Sequence, residues 1–270
     1  MQIPFWKMHG AANDFILVDD RSLTFPAGDA AWLARIMSRR TGVGSEGTIL
    51  IQPAQAGGHF RMRFFNPDGS EVEMCGNGAR CVARLAHEIG AAPATMQFET
   101  VAGPIGAEMQ GDRVLLHMTE PKDWRMNMTL DVDGKGVACH FVNSGVPHAV
   151  VPVKDLAAVR VQELGSTIRY HRDFAPKGTN ANFIQITGSD SLRVRTYERG
   201  VEAETLACGT GIVASGLIAG RLGLVKPPVR ITAASGDVLE VNYTPTADGA
   251  TRVTLLGPAV HVFRGTLDYP

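Results

Sequence analysis

Cys75 and Cys208 stand in one short pattern, Met-Cys-Gly-Asn-Gly at 74–78 and Ala-Cys-Gly-Thr-Gly at 207–211, each opening into an apolar run of helical period. A thiol just ahead of a helix start meets unpaired backbone N–H groups and the positive end of the helix dipole. Both hold anions, and both lower a thiol's pKa. For either motif alone the alternative is a packing residue, because a reduced cysteine behaves as a small hydrophobe.

The motifs belong to a longer repeat. At the offset of 133 residues that separates the two cysteines, Ala86 falls on Ala219 and Gly90 on Gly223, and FETVAGPI (98–105) falls on ITAASGDV (231–238). Upstream, RMRFFN (61–66) matches RVRTYE (193–198) after one inserted residue. A period this long argues for two similar domains and against a solenoid. Each is expected to run as strands, a Cys-Gly-x-Gly turn, one helix and more strands. The helices rest on Val82, Leu85, Ala86 and Ile89, and on Val213, Leu217, Ala219 and Leu222, with Gly90 and Gly223 as stops. Short alternating runs such as GTILIQ, HAVVPV and NFIQIT fill much of the remainder. The fold class is therefore α+β, two pseudosymmetric domains, each a curved, mostly antiparallel sheet around a central helix. The expected boundaries are 1–112 and 113–257, with the last strand, in 258–270, returning to the first domain.

Residues at the same place in two duplicated domains can face each other across a pseudo-twofold axis, which would bring Cys75 opposite Cys208. Two thiols flanking one carbon suit removal of a proton from one face and its delivery to the other, which is racemisation or epimerisation. One must be thiolate while the other is thiol, and an ordinary cysteine titrates near ~8.5, so a modest shift poises the pair. The N–H groups of Gly76-Asn77 and Gly209-Thr210 would hold the substrate carboxylate and the charge that builds as the α-proton leaves. Two duplicated core cysteines remain the bland alternative.

Composition removes other classes. With 26 Lys+Arg against 27 Asp+Glu the net charge is -1, and no basic block offers a nucleic-acid footprint. The N-terminus lacks an apolar core of signal length, and the most apolar stretch stops at Arg221, so neither membrane nor secretion is expected and the reading is cytoplasmic. Cys75, Cys81, Cys139 and Cys208 lack C-x-x-C spacing, so no metal is expected. The run 42–47 formally fits G-x-G-x-x-G, but it follows a helix (AWLARIMSRR) and precedes a strand, the reverse of the dinucleotide context. None of the six lysines is excluded by spacing as a Schiff-base residue, yet paired thiols make pyridoxal phosphate redundant, and no cofactor is expected.

The segments MHGAANDF, FFNPDGSEVEMCGNGAR, GTNANF and YERGVEAETLACGTG, in this order over nearly the whole chain, resemble the diaminopimelate epimerase family. The resemblance implies a cofactor-independent two-thiol epimerase that interconverts LL- and meso-diaminopimelate on the bacterial route to lysine and peptidoglycan. By motif, Cys75 and Cys208 would be the acid/base pair, and Gly76, Asn77, Gly209 and Thr210 would bind the reacting carboxylate. Asn13, Asn66, Asn180 and Arg199 would hold the distal amino-acid centre, and His148 and Glu198 would tune the thiols, with Glu198 also near the substrate. The implied partner is this small molecule, with a homodimer allowed. Three positions depart from the family pattern. Val146 stands where an asparagine is frequent, Ala12 where a glycine is common, and Gly47 where some members carry glutamine. These leave room for another amino acid, such as a histidine or hydroxyproline derivative. From a different class, a thiol-redox or amino-acid-binding protein without turnover would exchange no α-proton in deuterated water.

Overall fold

The computed structural model describes residues 1–270. The chain folds as two compact units, Met1–Leu116 together with Gly257–Pro270, and His117–Leu256.

In the first unit β1 (Gln2–Gly10) and β2 (Asn13–Asp19) form an antiparallel hairpin, and α1 (Ala30–Met37) carries the chain to β3 (Gly47–Gln52), parallel to β2. Next come β4 (Arg61–Phe65), antiparallel to β3, the short β5 (Glu71–Val72) beside it, and α2 (Gly76–Glu88). Then β6 (Thr95–Thr100) lies parallel to β4, with β7 (Gly103–Gln110) and β8 (Arg113–His117) following as antiparallel neighbours.

The second unit repeats this order. Strands β9 (Lys122–Val132), β10 (Lys135–Asn143) and β11 (Pro147–Pro152) are antiparallel neighbours, and α3 (Val161–Arg169) crosses to β12 (Asn180–Gly188), parallel to β11. Strand β13 (Ser191–Glu198), β14 (Ala203–Thr205) and α4 (Gly209–Arg221) follow, and β15 (Val229–Thr232) lies parallel to β13. Strands β16 (Val238–Pro245) and β17 (Ala250–Pro258) close the run. Strand β18 (Val260–Asp268) pairs antiparallel along β1, the place that β9 takes beside β10. The C-terminus thus supplies the strand that the first unit lacks in its own run of sequence.

Each unit holds a second helix beside the one in the repeat: α1 falls in the expected helix AWLARIMSRR, whereas α3 is a helix that the sequence reading does not include. Helices α1 and α3 sit in the parallel crossovers, which need a connection across a sheet face. Helix α1 buries Trp32, Leu33, Ile36 and Met37 against Ile16, Val18 and Leu50, and α3 buries Val161 and Ile168 against Ala149, Ala181 and Phe183. Alternate residues of the same strands turn to the other face, where α2 and α4 lie. Covered on both sides, β3 is buried along its whole length, so its centre, Ile49, Leu50 and Ile51, is a continuous apolar run and not an alternating one. The run 42–47 is the exit from α1, with the N–H groups of Val43 and Gly44 on the Ile36 carbonyl.

Helices α2 and α4 have equal length and equal ends. Gly90 and Gly223 have φ of +69° and +71°, a left-handed conformation that glycine adopts without steric penalty. It lets the Ala91 N–H reach the Ala86 carbonyl at 2.7 Å and the Leu224 N–H reach that of Ala219 at 3.0 Å, the Schellman closure in both units. Helix α4 is buried from Gly211 to Ala219, so its apolar stretch is a core helix wrapped by sheet. No helix of the chain is long and apolar enough to cross a membrane.

Candidate active site

Cys75 and Cys208 are the N-cap residues of α2 and α4, both in extended backbone (φ -135°, ψ 123° and φ -114°, ψ 110°). Their carbonyls accept the first helical bonds, from Ala79 at 2.8 Å and Ile212 at 2.9 Å. Neither side chain caps its helix. Each sulfur therefore stands beside a first turn whose N–H groups have no intrahelical carbonyl, the setting in which an anion is held. Cys75 is half-buried and Cys208 buried. Cys81 and Cys139 are sealed in the interior, where loss of hydration pushes each thiol up to about 12 and removes it from chemistry at neutral pH.

In the first unit Asn13 opens β2 and places its amide nitrogen 3.9 Å from the Cys75 sulfur. Asn77 is buried, and its Oδ1 accepts from the Arg80 guanidinium at 2.8 Å. Arg80 itself is fully buried and also donates to the Pro258 carbonyl at 3.1 Å, so it ties the first turn of α2 to the returning C-terminal segment. Asn66 lies in the turn after β4, where its backbone N–H meets the Ser70 carbonyl. The unit thus gathers Asn13, Cys75, Gly76 and Asn77 around one helix start, with Asn66 on a neighbouring turn.

In the second unit His148 donates or accepts at 2.9 Å with the Thr210 hydroxyl, which lies 3.6 Å from the Cys208 sulfur. Ser144 holds the Thr210 carbonyl at 2.9 Å. His148 is fully buried, and burial, with a further push from the Arg199 charge, lowers its pKa to about 3, so the imidazole is neutral at physiological pH. Asn180 bridges β11 and the end of β13, donating to the Pro147 carbonyl at 2.9 Å and accepting from the Arg199 N–H at 2.8 Å. Glu198 accepts from Thr205 at 2.9 Å. His148, Cys208, Gly209 and Thr210 are thereby gathered at one helix start, with Asn180, Glu198 and Arg199 along the neighbouring strand ends.

The model of the family described as "Diaminopimelate epimerase" matches residues 5–124 and 140–262. The chain belongs to the diaminopimelate epimerase family. The diaminopimelate epimerase of Aquifex aeolicus is 43% identical over 274 residues, 97% of each chain. That of Hydrogenobaculum sp. is 42% identical over 275 residues, 97% of this chain and 98% of the relative. A solved phenazine biosynthesis protein of the PhzF family from Bacillus anthracis has a TM-score of 0.77 over 100% of both chains at 15% identity, a likeness of fold. Membership in the diaminopimelate epimerase family makes the protein an isomerase, an amino-acid epimerase independent of pyridoxal phosphate.

Two of the departures from the diaminopimelate epimerase pattern acquire a physical reading. A Cβ on Gly47 would run into the Phe64 ring and lie 2.8 Å from the Phe65 carbonyl, so glutamine has no room there unless β4 moves. Ala11 and Ala12 form the two-residue turn between β1 and β2 at φ of +56° and +64°, a geometry that favours glycine or asparagine. Val146 is half-buried and brings no side-chain hydrogen-bonding group.

Sequence reasoning missed Asn182, Thr196, Ser144 and Arg80. The repeat carried a signal for one of these, Asn182: the 133-residue offset sets it on Ile49, as it sets the already recognised His148 on Phe15, each a polar residue where the other half is apolar.

Proposed function

We propose that Cys75 and Cys208 carry the diaminopimelate epimerase activity of this chain as an acid/base pair on opposite faces of one α-carbon. What carries this reading is the twofold occurrence of a single construction, a cysteine at the N-cap of a 13-residue helix whose first turn it leaves uncapped. One thiolate removes the α-proton, and the electron pair left on carbon spreads into the adjoining carboxylate. The N–H groups of Gly76-Asn77 and Gly209-Thr210 stabilise that charge, since they are fixed in place before it develops. The other thiol then delivers a proton from the opposite face, which inverts the centre, and the reverse reaction exchanges the two roles.

Asn13, Asn66, Asn180 and Arg199 are assigned to the distal amino-acid centre of diaminopimelate. Amides there suit an ammonium and a carboxylate together, and the Arg199 fork suits the carboxylate. His148 and Glu198 tune the thiols. The same reading makes this a cytoplasmic enzyme whose partner is its small-molecule substrate, and a homodimer; the exposed Val260, Val262 and Phe263 of β18 support the last.

Incubation of pure protein with LL-diaminopimelate and chiral chromatography of the products tests the activity. The expected outcome is a mixture of LL- and meso-isomers without added cofactor. Unchanged LL-isomer would reject it.

A further inference from the structure

We infer that Asn182 is a positioning residue for proton transfer at Cys208: its amide fixes the proton of His148 on Nε2, which turns the hydroxyl proton of Thr210 toward the Cys208 sulfur. The inference rests on the assignment of Cys208 as a catalytic thiol.

The argument is an accounting of donors and acceptors. The Asn182 amide nitrogen lies 3.0 Å from the Ala149 carbonyl, which can only accept, so the amide orientation is determined. Its oxygen accepts from the Thr196 hydroxyl at 3.0 Å. The second proton of the same nitrogen points at His148 Nδ1, also at 3.0 Å, so Nδ1 must present a lone pair. His148 is neutral and fully buried, so its one ring proton sits on Nε2 and is donated to Thr210 Oγ1 at 2.9 Å. The Arg199 guanidinium, the charge that bears on the ring, opposes a second proton. With one lone pair of Oγ1 occupied by His148, the Thr210 proton is directed outward to Cys208 Sγ at 3.6 Å, hydrogen-bond range for sulfur. The hydroxyl keeps a second lone pair for the thiol form, so the contact serves both protonation states of Cys208.

The first unit shows what these positions hold when no relay is built. Pairing of His148 with Asn180 and of Asn182 with Thr196 is matched by Phe15 with Gly47 and Ile49 with Phe64. Thr196, Asn182 and His148 are thus replaced by Phe64, Ile49 and Phe15, whose two rings meet edge-on at 5.9 Å. Thr210 is replaced by Asn77, which Arg80 holds. The helix contact is matched too. A Cβ on Gly78 would lie 2.7 Å from Ile49 Cδ1, and one on Gly211 would strike Asn182 Oδ1. One backbone therefore accepts either filling, and an apolar one needs no desolvation of polar groups. Stability alone gives no reason for the buried amide, imidazole and hydroxyls, whereas a directed donor at Cys208 does.

Long-range proton–nitrogen NMR of the substrate-free protein reads the tautomer directly. His148 is expected with Nε2 protonated and Nδ1 bare, and a proton on Nδ1 overturns the inference whether or not the protein turns over diaminopimelate. Cys208 is then probed by iodoacetamide in a Cys75→Ala background, where Cys81 and Cys139 are sealed. Thr210→Val removes the donor. Asn182→Asp replaces the amide donor by an acceptor, draws the ring proton to Nδ1 and turns the Thr210 proton back to His148. Each is expected to slow alkylation at neutral pH about tenfold, the weight of one charge-assisted hydrogen bond, with Thr210→Ser restoring the parental rate. Parental rates in either Thr210→Val or Asn182→Asp overturn it. Loss of turnover on diaminopimelate in the parent, with tautomer and alkylation as expected, would reject the substrate reading and leave the relay standing.

Discussion

His148 occupies in the second unit the position that Phe15 occupies in the first, each on the second strand of its hairpin and facing the central helix. A duplicated scaffold thus presents two thiols from matched helix starts but backs them with different chemistry. The proposed two-thiol reading requires such inequality at every instant, since under it one sulfur carries the proton that the other has given up or has yet to take.

If both thiols act, neither substitutes for the other. Cys75→Ala and Cys208→Ala are each expected to lower kcat/KM by at least about a thousandfold, within the range of lost acid/base catalysis, with circular dichroism unchanged. In deuterated water, product formed at low conversion carries deuterium at the inverted centre while remaining substrate does not. Parent-level turnover by either folded variant would refute the two-thiol assignment.

His148 makes the fold acid-sensitive. Its folded-state pKa of about 3 lies below the ordinary 6.5, so the unfolded chain binds the proton more readily. Its contribution is therefore fully present above pH 6.5 and is lost as the pH falls toward 3. Replacing His148 by Gln removes this titration. Between pH 6.5 and 5 the unfolding free energy, measured in urea, should fall about 2 kcal/mol less in the variant than in the parent. Equal losses would mean that the ring does not titrate as its burial requires.

Gly76 and Gly211 separate binding from packing. A Cβ on Gly76 meets nothing within 4 Å, whereas one on Gly211 strikes Asn182 and lies 3.4 Å from the Cys208 sulfur. Gly76→Ala is expected to keep the parental unfolding midpoint yet to lose about tenfold or more in kcat/KM, because the methyl group would stand where the proposed reading brings the substrate carboxylate. Gly211→Ala should lose about 1–3 kcal/mol of stability through overpacking, together with activity. Thermal unfolding and steady-state kinetics on both variants check the contrast.

The turn between β1 and β2 is built from alanines in the left-handed region, and Ala12 is exposed. Ala12→Gly relieves a clash of Cβ with the backbone and is expected to stabilise the protein by about 1 kcal/mol, read from denaturant midpoints. A loss of stability would show that the entropy of glycine in the unfolded chain outweighs the relief.

The sequence by itself determined the duplication, the helix that follows each cysteine, the glycine stops and the mixed sheet-rich fold class. These are local or periodic properties: a Cys-Gly-x-Gly turn, apolar spacing and a common offset can be read without knowing what touches what. Helix α3 escaped, because Val161–Arg169 carries the weak helix formers Gly165, Ser166 and Thr167 within nine residues, and its fold was decided by the crossover it had to make. The relay escaped for a related reason. In the run NANFIQIT, Asn182 reads as a polar residue in a strand, and only the pairing of β11, β12 and β13 brings it to Ala149, His148 and Thr196. Burial then turns those contacts from options into requirements, since a polar group removed from water must find its partner inside. Residue types and their order along the chain named the thiols. Which donor faces Cys208, and in which direction its proton points, was decided by hydrogen bonds between strands far apart in sequence.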